Sequence, residues 1–115
     1  MFIDRQHLKV LSLILASALL LGAAADDLPL AVDLRADAKV ARAERLSIVL
    51  FFYSSSCPFC REVEALYLKP LQKENLKSRR FLLRRVEIGE RQALIDFTGT
   101  RTDFRSFAQQ QKVML

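Results

Sequence analysis

The sequence predicts an α/β domain built around a parallel pair of strands. Two short apolar runs, Ser47–Tyr53 (SIVLFFY) and Phe81–Ile88 (FLLRRVEI), have the length and the β-branched and aromatic content of strands. Helix-period sequence separates them, and a further helical stretch follows the second run. The order strand, helix, strand, helix favours a right-handed crossover between parallel strands. With 115 residues, 51% of them hydrophobic and 27% charged, the chain has room for one small globular domain. The net charge of +5 is too dispersed to single out an acidic partner.

The first 25 residues stand apart from that domain. A basic head carrying Arg5, His7 and Lys9 precedes the apolar run Val10–Leu21 and the small residues Gly22–Ala25. This is the pattern of a secretory signal peptide, with cleavage expected after Ala25. The alternative is an uncleaved anchor facing the periplasm, but the 16 residues from Val10 to Ala25 fall short of the ~20 that span a bilayer. With the signal removed, no stable membrane span is expected. The product would be exported, periplasmic, and in a compartment where disulfides persist.

The remaining elements follow in order. Residues 26–45 are expected to be a short linker with Pro29, then a mostly surface helix over Asp33–Arg45 capped by Asp33. Ser47–Tyr53 carries apolar residues at both parities, so burial on both faces is expected. Cys57-Pro58 opens the next helix, because proline is favoured at the first helical position. Val63, Leu66, Tyr67 and Leu71 form its apolar stripe, and Pro70 is expected to divide it into Phe59–Leu68 and Pro70–Leu76. Phe81–Ile88 is the second strand. Gly89–Arg101 is expected to be a loop turning at Asp96–Gly99, and Asp103–Gln111 a helix with Phe104, Phe107 and Ala108 inward. The domain proper is placed at residues 46–115.

The chemistry lies in SSSCPFC, residues 54–60, which holds the only two cysteines of the chain. A buried strand ends in small polar residues and a Cys-X-X-Cys pair begins a helix. Unpaired N–H groups and the positive end of the helix dipole favour a thiolate on Cys57. Cys60 lies one turn further on, within reach of a mixed disulfide on Cys57. Pro58 removes one donor beside the thiolate, and Phe59 offers a partner an apolar contact. A structural staple closing so short a loop would stabilise little. Zinc needs about four ligands, and residues 26–115 contain two cysteines and no histidine. Metal capture by the two thiolates is the weaker alternative, and redox chemistry is the reading this context favours.

The segment SIVLFFYSSSCPFCREVEALYLKPL resembles the active-site region of the thioredoxin superfamily. It is most similar to exported thioredoxin-like proteins of the sulfur-oxidation and periplasmic disulfide-exchange type. The hydrophobic strand, the Cys-Pro-aromatic-Cys motif, Pro70 and the Asp96–Gly99 turn come in the order that group has, and DFRSFAQQQKV resembles its next helix. The resemblance covers about residues 46–114. It implies Cys57 as nucleophile and Cys60 as resolving thiol, with Pro58 and Phe59 in support. It further implies a redox-active Cys57–Cys60 disulfide as the only redox group. Protein or small-thiol disulfides would be the substrates and a dithiol the electron partner.

Two departures qualify the likeness. Phe51 stands where many thioredoxins carry a buried acid, leaving water or Glu64 as base for Cys60. The prolines are Pro29, Pro58 and Pro70, none of them placed to supply the cis-proline strand, so a truncated product, a fragment of a longer chain or a protein completed by a partner is expected. The expected fold is therefore an incomplete thioredoxin-like one, lacking the cis-proline strand, the last strand and the last helix. Ser47–Tyr53 would then be an exposed edge. The alternative function is a catalytically silent module, serving as an adaptor or completed by a partner. Arg79-Arg80 and Arg84-Arg85 are expected to be a solvated strand edge rather than a docking patch. No aromatic-interleaved basic motif points to nucleic acid.

Overall fold

A computed structural model describes residues 27–114. The signal-peptide reading of residues 1–25 lies outside the described residues. The elements are α1 (Leu34–Glu44), β1 (Ser47–Tyr53), α2 (Pro58–Val63), a π-helical turn (Glu64–Leu68), α3 (Lys69–Ser78), β2 (Phe81–Glu87), β3 (Ala93–Ile95), β4 (Arg101–Asp103) and α4 (Phe104–Gln110).

β1 and β2 pair in parallel from Ser47↔Phe81 to Tyr53↔Glu87, as the strand-helix-strand order predicts. The segment expected to be a linker is instead part of the sheet. The Ala31 N–H donates to Arg85 O at 3.0 Å, and the Arg85 N–H donates to Pro29 O at 2.9 Å. One step further, the Ile95 N–H donates to Val32 O at 3.0 Å. Residues 29–33 thus lie between β2 and β3, with Leu28 and Ala31 buried. Pro29, which has no N–H to give, contributes only its carbonyl. β1 is left at one side of the sheet, its outer edge unpaired among the described residues. No residue of β1 is fully buried, so the expected burial on both faces is not met.

Strand alternation sends the two sets of side chains to different surroundings. On one side Ala31, Leu34, Val86, Leu94, Phe104 and Phe107 form the core, with Leu30, Leu50 and Phe52 packed against it. Phe52 and Phe107 stack at 6.0 Å between ring centroids. α1 joins this core through Leu34, and begins where Asp33 accepts the Ala36 N–H at 2.8 Å. α4 begins in the same way, with Asp103 accepting the Ser106 N–H at 2.8 Å.

Pro70 does not divide the helix. Lys69 has helical angles, φ −63° and ψ −48°, and its N–H donates to the Glu64 carbonyl, five residues back. A π-helical turn of this kind accommodates a proline, whose ring would otherwise press on the carbonyl four residues before it. The stretch expected to be a loop is a hairpin, with β3 and β4 paired from Ala93↔Asp103 to Ile95↔Arg101. Its turn is the one the sequence indicates. Asp96 Oδ1 accepts from the N–H groups of Thr98 (2.8 Å) and Thr100 (3.0 Å), and Gly99 takes φ +86°.

Candidate functional site

The site lies where β1 ends and α2 begins. Tyr53 is the last strand residue, Ser54–Ser56 make a turn, and Cys57 caps the helix with the extended angles φ −93° and ψ 110°. Pro58 occupies the first helical turn as expected. Cys57 is half-buried and Cys60 is buried, and both thiols are free. The Cys60 N–H points at Cys57 Sγ, 3.4 Å away. Phe59 projects into solvent, 77% exposed.

The two thiols are electrostatically unequal. A hydrogen bond from the Cys60 thiol, then the backbone amides of Cys60 and Phe59 and the charge of Arg61, hold Cys57 below the usual thiol range. Burial pushes Cys60 up, reinforced by the hydrogen bond it gives to Cys57 and partly offset by the Ser54 amide. Cys57 is thus the more acidic thiol of the pair and Cys60 the less acidic.

Beneath the pair lies a polar layer on the helix-facing side of the sheet. Glu64, suggested by the sequence as a base for Cys60, points to Arg85 instead, Oε1 to Nη1 3.3 Å. It is not the surface charge that helical position implies, its side chain being only 12% exposed. The Arg85 guanidinium also lies 5.5 Å from the Tyr53 ring centre. Burial raises the Tyr53 hydroxyl above its ordinary range, and Arg85 opposes that shift. Of the arginine pairs, Arg79 and Arg80 are exposed, as expected of a solvated edge, whereas Arg84 and Arg85 are half-buried. Arg84 grips Asp37 through two hydrogen bonds of 2.9 and 2.7 Å, and Arg79 grips Glu44.

Glu87 was missed by sequence reasoning. It is buried at the end of β2, and Oε1 accepts the Ser55 N–H at 2.8 Å. The signal was present: Glu87 shares strand parity with Arg85 and Leu83, so a strand packed against the cysteine helix had to bury it there.

The apolar stripe of the helix points away from the sheet. Leu66 is 59% and Tyr67 65% exposed, and Val63 and Leu71 are also uncovered. The face turned inward is Cys60, Glu64, Leu68, Gln72 and Asn75. Asn75 joins the helix to β2 by donating to Phe81 O and accepting the N–H groups of Arg80 and Phe81.

Fold and site together define a parallel α/β domain with a cysteine pair on a strand-to-helix turn. The chain belongs to the thioredoxin-like family: the model of the thioredoxin-like domain matches residues 34–115. The described elements form a partial thioredoxin fold, and membership of this family brings redox or disulfide-exchange chemistry into consideration. No curated protein and no solved structure matches the chain. Among the described residues, no helix is long and apolar enough to cross a membrane. No group of three or more His, Cys, Asp or Glu gathers there to hold a metal ion.

Proposed function

We propose that the protein is an exported thiol–disulfide oxidoreductase acting through the CPFC motif. The observation that carries this reading is the Cys60 N–H directed at Cys57 Sγ on a helix N-terminus, in a chain of the thioredoxin-like family. The Cys57 thiolate attacks one sulfur of a substrate disulfide and forms a mixed disulfide, and the other substrate sulfur leaves as a thiolate. Cys60 then loses its proton and attacks Cys57 Sγ. The second substrate thiol is released and the Cys57–Cys60 disulfide remains. Two electrons pass to the substrate, and an external dithiol returns them. The reverse sequence oxidises a substrate dithiol. Pro58 leaves the thiolate end of the helix open, and Phe59 gives a protein substrate an apolar contact. Export rests on the sequence pattern of residues 1–25, and likeness to the sulfur-oxidation type rests on the CPFC segment.

Cys57→Ser is expected to abolish reduction of a small disulfide by dithiothreitol. Cys60→Ser is expected to accumulate a mixed disulfide visible by intact mass. Wild-type protein with no turnover would overturn the reading. The pH dependence has a definite sign. Because Cys57 is lowered and Cys60 raised, iodoacetamide should modify Cys57 first. Its rate should fall only as pH drops through the lowered value, while Cys60 reacts only above the ordinary thiol range. Equal midpoints in a mass-resolved alkylation profile would remove the asymmetry on which exchange depends.

A second reading has its own support. The unpaired edge of β1 and the uncovered stripe on the same helix as Cys60 fit a domain completed by a partner and silent without it. Absence of turnover alone, with turnover restored by a co-purifying protein, would favour it.

A further inference from the structure

The turn Ser54–Ser56 leads directly into Cys57, and of its three residues only Ser54 is half-buried. Ser55 and Ser56 are exposed, and the local bonds are Cys57 N–H to Ser54 O (3.0 Å) and Ser54 Oγ to Ser56 Oγ (2.9 Å). Among the described residues, one side-chain hydrogen bond ties this turn to another element: the Ser55 N–H donating to Glu87 Oε1 at 2.8 Å, across 32 residues of sequence. Glu87 is placed beside the turn by the strand pairing. It sits in register opposite Tyr53, and the Ile88 N–H donates to Tyr53 O at 2.9 Å just beyond it. Its side chain is buried without an ion-pair partner among the described residues. A buried carboxylate so placed is costly unless its bond is kept.

We infer that Glu87 is a positioning residue for the cysteine pair: its carboxylate clamps the Ser55 amide and thereby fixes the turn that presents Cys57 at the helix N-terminus. The inference rests on the exchange reading of the site but concerns geometry rather than turnover. The Ser54 carbonyl accepts the Cys57 N–H, and the Cys60 N–H in turn points at Cys57 Sγ. Holding Ser55 therefore holds both. Glu87 also carries a negative charge, which would make a nearby thiolate less favourable. The clamp and the charge act on Cys57 in opposite directions, and that separates them. Facing Cys57 are Cys60 and Arg61; facing Tyr53, opposite Glu87, are Arg85, Glu64 and Glu90.

The test is the mass-resolved alkylation profile of Cys57 in the reduced full chain, for wild type, Glu87→Ala and Glu87→Gln. Loss of the acceptor in Glu87→Ala should raise the Cys57 midpoint and slow its alkylation at neutral pH about tenfold. Glu87→Gln keeps an acceptor oxygen and should restore most of the wild-type profile. If both variants lower the midpoint, the charge acts and the clamp is overturned; if neither moves it, Glu87 is structural only and the clamp is again overturned. Should Glu87→Ala fail to fold, amide hydrogen exchange of the wild type decides. The clamp requires protection of the Ser55 N–H despite the exposure of that residue, and an unprotected amide overturns it. A wild-type Cys57 that titrates as an ordinary thiol would count against the exchange reading itself. A lowered Cys57 unaffected by either variant would leave that reading standing and remove the clamp alone.

Discussion

The two faces of the sheet are built on opposite principles. The face under α1 and α4 is a dry aromatic and aliphatic core, with Phe104, Phe107, Leu34 and Val86 each at most 2% exposed. The face under α2 and α3 buries Glu87, Asn75 and Cys60 beside Leu83 and half-buries Glu64 and Arg85, while its helix shows apolar side chains to solvent. Two buried side-chain atoms there, Gln72 Oε1 and Arg85 Nε, have no partner among the described residues. The first face supplies stability through area removed from water. The second gives up part of that stability to keep charged and thiol groups in fixed relation beside the cysteines. A small domain has little reserve for this, so the division of labour has consequences that can be measured.

The largest expected effect is in the core. Phe107 stacks on Phe52 and also meets Phe97 at 6.4 Å. Phe107→Ala removes a buried ring and leaves a cavity, costing about 3–5 kcal/mol. That is much of what a domain of this size has, so denaturant unfolding should lose its cooperative transition. A loss below about 1 kcal/mol would mean that the core does not dominate stability.

Next comes the polar joint of the second face. Asn75 satisfies the carbonyl of Phe81 and the amides of Arg80 and Phe81 at the start of β2. Asn75→Ala strands those groups at about 1–3 kcal/mol for each one that water cannot reach. A reduction in urea stability of about 2 kcal/mol is expected, with the Cys57 alkylation profile retained. If that profile also changed, helix position and thiol chemistry would be coupled, and the two faces less independent than their composition implies.

The core face was far more legible in the sequence than the polar one. Phe104, Phe107 and Ala108 were inward by helical period, and SIVLFFY marked its strand to the residue, because apolar burial follows periodicity directly. The Cys57 cap and Pro58 at the first turn were readable for the same local reason. The failures gather where periodicity is mute about what lies opposite. Val63, Leu66, Tyr67 and Leu71 do share a stripe, but a stripe records only that residues share a face, not that the face meets a core. Pro70 signalled a break that a π-helical turn absorbed. Residues 28–32 were too few to read as a strand, although Leu28 and Ala31 are buried. Glu64 read as a base for Cys60 rather than a partner of Arg85, and Glu87 went unread, since the placement of both depends on β2 lying under the helix.

The smallest expected effect is the one that most sharpens the comparison. Leu66 is exposed on the outer side of the cysteine helix, so Leu66→Gln should alter the stability of the isolated domain by no more than about 0.5 kcal/mol. A polar residue there removes little buried area, and the helix propensities of the two residues are close. A loss of about 2 kcal/mol would show that something covers Leu66 in solution, because only a buried leucine is worth that much. The outward stripe would then be the inner face of a larger structure. The second side of the sheet would have an apolar core of its own, and the contrast between the faces would be a property of the uncovered domain alone.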